Sequence, residues 1–153
     1  MAPVAPLPAL YKQEARARRI ALIAESYARL LGRALVSSHG NISEALWNLP
    51  AVIVAHGTEP DPIFFFGNAC ALSAFECDAG TFTEMPSRLS AEAPLRQERQ
   101  DLLDRVTANG FIDDYSGIRI SATGRRFRVE KAVVWNLIDD QGLCHGQAAT
   151  FTL

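Results

Sequence analysis

Cysteine is scarce in this chain of 153 residues: only Cys70, Cys77 and Cys144 are present. An odd number with no C-x-x-C spacing argues against a disulfide framework and against a zinc knuckle. Charge of one sign is also lacking, because 15 basic and 17 acidic residues leave a formal net charge of -2, which supplies no general attraction to nucleic acid or anionic lipid. No run approaches the ~20 apolar residues that span a bilayer. The opening MAPVAPLPAL has three prolines, no basic region and no small-residue cleavage site, so it does not read as a signal peptide. Together these absences predict a cytoplasmic protein. Enzyme signatures are missing too: there is no G-x-S-x-G elbow, no G-x-G-x-x-G or Walker loop, and no H-E-x-x-H.

What remains is an ordinary globular composition, 48% hydrophobic and 21% charged, in a length that suits one domain. Prolines at 3, 6 and 8 predict a flexible arm over residues 1–9. Ile20, Ile23, Tyr27, Leu30 and Leu31 recur at helical spacing, predicting an amphipathic helix over 10–33 that stops near Gly32. Such a stripe needs a cover, either the domain's own sheet or a second subunit, and a homodimer through this helix is one expectation. A helical turn is expected from Ser43 to Leu49, with Ser43 as cap and Pro50 as stop.

Residues 51–56 and 63–66 are short apolar runs punctuated by Gly57, Pro60, Asp61 and Pro62, and they predict two strands joined by a turn. Helical segments follow at 68–76 and 79–85. A longer helix starts at Pro94, where Leu95, Arg99, Leu102, Leu103 and Val106 make a one-sided pattern that Asn109-Gly110 ends. The last third predicts an antiparallel meander over 111–120, 127–138 and 143–151. In its middle strand Phe127, Val129, Val133, Trp135 and Leu137 share parity, but Lys131 interrupts the row. Either Lys131 snorkels outward or a bulge near Glu130-Lys131 reverses the phase. The element order predicts an α+β fold: a five-stranded antiparallel sheet with helices on one face and a flanking N-terminal helix, the domain proper occupying 34–153. This is a PAS-like arrangement.

The strings SHG (38–40), AHGTEPDPIFFFGNACAL (55–72), PSRLSAE (86–92) and GFIDDYSGIRISATGRRFRVEKAVVWNLIDDQGLCHGQAATF (110–151) closely resemble bacterial proteins of the MEKHLA domain family, itself considered PAS-like. The letters M-E-K-H-L-A do not occur here, so the likeness is to the body of the domain. In plants that domain sits at the C-terminus of certain homeodomain-leucine zipper regulators and is associated with control of their dimerisation. The resemblance implies a PAS-like sensing or association module, here with no homeodomain or zipper and no output domain of its own.

PAS-like domains bind small molecules between the sheet and the helices, in an apolar concavity with a few polar anchors. The strand reading puts forward His56, Asn68, Tyr115, Trp135 and Gln147 as ligand-binding residues for a small apolar or aromatic compound. Each has a plainer role beside it: Trp135 as a core aromatic, Asn68 as a helix cap, His56 as a turn histidine. The sequence leaves the cofactor unknown. A flavin photoreceptor would need a reactive cysteine near Ser87, and residues 94–109 hold no histidine for haem. Cys144 and His145 are adjacent on a strand and point apart, so they do not form a metal site. The rival reading is a small α+β hydrolase or isomerase using His56 with Asp113 or Asp114 as a base pair. The cluster Arg119, Arg125, Arg126 and Arg128 reads as a salt-bridged sheet face rather than a nucleic-acid site.

Overall fold

In a computed structural model, which describes residues 6–37, 40–92 and 96–153, five strands form one antiparallel sheet in the order β2-β1-β5-β4-β3. They are β1 (Val52–His56), β2 (Phe64–Gly67), β3 (Phe111–Ile120), β4 (Arg126–Ile138) and β5 (Cys144–Phe151). The helices are α1 (Glu14–Leu31), α2 (Ile42–Asn48), α3 (Ala69–Phe75), α4 (Ala79–Phe82) and α5 (Arg96–Asn109), with 3-10 turns at Ala9–Lys12 and Ser87–Ser90. The last three strands form the expected meander, and β5 then pairs with β1, so the first and last strands of the chain lie side by side at the sheet's centre. The sheet thereby separates two apolar layers.

The outer layer lies under α1 and α2, where Ile20, Ile23 and Tyr27 pack on Ile53, Ala55, Trp135, Leu137 and Ala148. Polar contacts lock α1 in place as well: the Ser26 hydroxyl donates to the Ile138 carbonyl at 3.2 Å and accepts its N–H at 2.8 Å. Arg16 donates to the Phe65 carbonyl at 2.8 Å, and the Arg19 guanidinium sits 4.0 Å from the Phe65 ring centre. The α1 stripe is thus satisfied by the chain's own sheet. Gly32 closes the helix at φ 72, a left-handed conformation that glycine adopts without a Cβ clash.

The helix starts later than residue 10. Gln13 is extended and separates α1 from the short turn Ala9–Lys12, which lets Tyr11 insert beneath α1. Its hydroxyl donates to the Gly67 carbonyl at 2.8 Å and accepts the Gly67 N–H at 3.0 Å, joining the N-terminal segment to β2. Burial pushes the Tyr11 phenol up to about 12, so it stays a donor. Leu7 is buried beside it. The expected arm therefore contributes to the core from Leu7 on; its residues 1–5 lie outside the described residues, as do Ser38, His39 and Pro94 with their expected roles.

Two local expectations are corrected. Asn41, not Ser43, caps α2, its side-chain oxygen accepting the Glu44 N–H at 3.1 Å; Ile42 enters the helix so that it can reach the outer core, and Ser43 is buried one position in. In β4 the row assigned to one parity is split. Lys131 has φ 52, so a bulge reverses the pleat there: Phe127, Val129, Ala132 and Val134 face α3 and α5, whereas Val133, Trp135 and Leu137 face α1.

Candidate functional site

The inner face of the sheet is built by alternation. Val52, Val54 and His56 of β1 stand opposite Phe151, Ala149 and Gln147 of β5, and Val134 and Asn136 of β4 stand opposite Ala149 and Gln147. Tyr115 of β3 lies across from Ala132. Helices α3 and α4 cover one end of this face with an aromatic cluster in which Phe64 stacks on Phe82 at 4.3 Å and Phe75 meets Phe127 edge-on at 5.2 Å. Helix α5 covers the other end.

Between them is a cavity of about 60 Å³. Its apolar walls include Val54, Phe64, Phe75, Leu102, Val134 and Phe151, and its polar groups are His56, Ser90, Arg99, Tyr115, Arg119 and Gln147. A wall this apolar with few convergent polar groups has the chemistry of a small-molecule site.

Gln147 is committed to structure: its amide donates to Asn136 Oδ1 at 3.0 Å, to the Leu103 carbonyl at 3.2 Å and to Thr107 Oγ1 at 3.2 Å. Asn136 in turn donates to the Val106 carbonyl at 3.1 Å. Together these two amides tie α5 to the sheet and hold the cavity roof. His56 is different. Its Nδ1 lies 3.0 Å from the Gly57 carbonyl, which only accepts, so Nδ1 carries the proton and Nε2 is an acceptor. Nε2 is buried without a partner at the cavity wall. Gly146 keeps this corner tight, because a Cβ there would overlap the His56 carbonyl oxygen.

Burial pushes the His56 imidazole down to about 4, with the Gly57 carbonyl opposing and Arg99 reinforcing. The same side chain in an unfolded chain titrates near ~6.5. Between these values the unfolded state binds the extra proton, so the His56 contribution is whole above the unfolded value and is lost as pH falls toward the folded one. The full swing is on the order of 3 kcal/mol. Chemical denaturation of wild type and His56→Gln between about pH 4 and about pH 7 should show the steeper loss on acidification in the wild type. Parallel curves would show that His56 is not held neutral.

The structure brings together three of the five expected ligand-binding residues, His56, Tyr115 and Gln147, at this cavity. Trp135 is elsewhere: the Lys131 bulge turns it to the outer layer, where its indole N–H donates to the Ile23 carbonyl at 3.1 Å and its ring meets Tyr27 edge-on at 4.9 Å. Asn68 is elsewhere too. Its Oδ1 accepts the N–H groups of Ile53 and Ala71 at 3.0 Å each, and its Nδ2 donates to the carbonyls of Leu46 at 3.0 Å and Ala51 at 2.8 Å. All four of these positions are backbone.

Missed by the sequence reading were Arg99 and Arg119. Arg99 is 7% exposed and donates to the Ser87 hydroxyl, and Arg119 stacks 5.0 Å from the Tyr115 ring. The signal for Arg99 was its place in the apolar row of α5. Of the remaining basic cluster, Arg125 pairs with Glu76, Arg126 with Glu92 and Arg128 with Glu130. His56 is not joined by Asp113 or Asp114: both acids are exposed, Asp114 pairs with Arg105 at 3.4 Å, and neither lines the cavity. Nothing here supports the enzyme reading.

The strand order, the helices over one face and the cavity beneath them define a PAS-like domain. Solved structures of similar fold include the PAS domain of a protein from Colwellia psychrerythraea, with TM-score 0.60 and 11% identity over 71% of this chain and 90% of that one. Another is the PAS domain, in complex with ethanol, of a transcriptional regulator in the LuxR family from Burkholderia thailandensis, with TM-score 0.55 and 17% identity over 70% of this chain and 92% of that one. The profile of the MEKHLA domain matches residues 17–153, and the chain belongs to the MEKHLA domain family. The homeobox-leucine zipper protein HOX29 of Oryza sativa subsp. indica is 26% identical over 126 residues, 78% of this chain; the match spans 15% of the rice protein's length. Among the described residues no helix is long and apolar enough to cross a membrane.

Proposed function

We propose that this chain is a sensory module whose signal is a small molecule bound between the inner sheet face and α5. The single observation that carries the reading is the cavity beside α5, apolar on most sides, with the buried His56 Nε2 unpartnered at its wall. The site is sized for a small ligand: room for roughly four to six waters corresponds to roughly 120–180 Å³ of bound molecule. Tyr115 on β3 and His56 on β1 flank it from two ends of the same inner face, with β5 and β4 between their strands, so a ligand there bridges strands that are not neighbours. Three free cysteines fit work in the reducing cytosol.

Self-association through α1 is the second part of the proposal. Ile20, Ile23 and Tyr27 of the stripe cover the chain's own sheet, so the contact would fall to Leu30 and Leu31 at its end and to Leu22 beside it, which stay partly exposed. Native mass spectrometry of freshly purified protein tests both parts, because it reports bound mass and subunit number together. A retained small compound and a dimer mass are expected. A bare monomer, with no thermal shift in a fragment screen, would remove both.

A further inference from the structure

Two arginines lining one small cavity are costly, Arg99 buried and Arg119 half-buried. Arg99 reaches it from α5 and Arg119 from β3, and neither makes an ion pair with a carboxylate among the described residues, while the undescribed residues include no aspartate or glutamate. Asp61, the acid that attracts Arg99 from a distance, is held by Arg88 at 3.1 Å. Glu98 and Asp101 line an adjoining open cleft that Arg119 also borders, but neither is within ion-pair distance of it. Arg99 donates to the neutral Ser87 hydroxyl, and Arg119 contacts the Tyr115 phenol.

The two positive groups therefore lack charge compensation. Burial pulls the Arg99 guanidinium down to about 10 and Arg119 repels it further. Burial lowers Arg119 as well, against a favourable contact with Tyr115. Unpaired buried charge costs stability, and a carboxylate that accepts from a guanidinium fork relieves it with strong charge-assisted hydrogen bonds. Next to the arginines, the Leu102, Val134 and Phe151 walls leave room only for an apolar remainder.

Resting on the sensory reading above, we infer that the ligand is a small monocarboxylic acid whose carboxylate is held by Arg99 and Arg119 and whose apolar body lies against Val54, Phe64 and Val134. A carboxylate suits the site better than phosphate. Beyond the arginines, Ser90 already donates to the Ser87 carbonyl and Gln147 to Asn136, Leu103 and Thr107, which leaves the Tyr115 phenol as the remaining side-chain donor at a mostly apolar wall, too few for a third and fourth oxygen.

Thermal-shift and calorimetric titration of the full chain with benzoate, its neutral counterpart benzamide and inorganic phosphate test this. Benzoate at saturating concentration should raise the melting temperature by about 3 °C while benzamide and phosphate do much less. Arg119→Gln should weaken benzoate roughly tenfold or more, with partial rescue by Arg119→Lys and little change for benzamide. Arg99→Met alone leaves the buried Ser87 hydroxyl without its donor, so the paired Ser87→Ala/Arg99→Met variant removes both partners and keeps the fold testable. It should lose benzoate selectively. Equal binding of benzoate and benzamide overturns the carboxylate assignment and leaves the sensory reading standing. Tighter binding of phosphate overturns it as well. No binding of any probe overturns it, and the sensory reading falls with it only if the purified protein also carries no retained compound.

Discussion

Asn68→Ala is expected to cost about 3–5 kcal/mol, because four buried or part-buried backbone groups each lose a hydrogen bond at once. The Ile53 and Ala71 N–H groups lose this acceptor, the Ala51 carbonyl loses this donor, and the Leu46 carbonyl is left with the Leu49 N–H at 3.3 Å. These groups belong to β1, α3, the end of α2 and the turn after it, so one amide fixes how three elements enter the sheet. Asn68→Asp should be as harmful, since a carboxylate keeps the acceptor but has no N–H to offer and buries a charge. Urea denaturation measures both. A loss below about 1 kcal/mol would mean that water takes over Asn68's role and that the junction is open to solvent.

The second large effect falls on Trp135. Truncation to alanine removes the largest fully buried side chain, its edge-on contact with Tyr27 and its bond to the Ile23 carbonyl, and should destabilise by about 3–5 kcal/mol. Trp135→Phe should cost less, since it keeps most of the volume and loses the indole donor. The variants also separate the two layers. Because Trp135 contacts α1 and not the cavity, the folded fraction of Trp135→Phe should bind ligand with wild-type affinity. A large loss of affinity at unchanged fold would place the ligand on the α1 side.

Much of this architecture is legible in the residues, and the reasons are physical. Residues 51–56 read as a strand because β-branched residues fall between Pro50 and Gly57, and the long C-terminal strands are bracketed by turn residues at 122–124 and 139–142. The longer helices show because their apolar spacing persists over several turns. The site was less legible. One left-handed residue, Lys131, inverts the pleat, and parity counted across it assigns Trp135 to the wrong face while hiding Asn136, which the structure turns inward. Two opposite facts were available from the same letters, and only the backbone distinguishes a bulge from a snorkelling lysine.

The arginines were hidden for another reason. Arg119 sits in sequence among Arg125, Arg126 and Arg128, which do form surface ion pairs, so composition grouped it with them. What distinguishes it is alternation with Tyr115 and Gly117 along β3, which places it opposite Phe127 on the inner face. Arg99 stood in the apolar row of α5 from the start. A charged residue inside an otherwise apolar stripe marks either a buried partner or a waiting ligand, and among the described residues the hydrogen-bond partner here is a hydroxyl.

Nuclear magnetic resonance on uniformly 15N-labelled full chain, titrated with benzoate and with benzamide, tests most directly whether the inner face beside α5 is where small molecules bind. The account predicts that amide signals of Ala132, Val134, Gln147 and Ala149 and the side-chain signals of Arg99 and Arg119 move, while the indole N–H of Trp135 and the amides of Ile20 and Ile23 stay in place. Shifts gathered around Trp135 and α1, with the inner face silent, would contradict it.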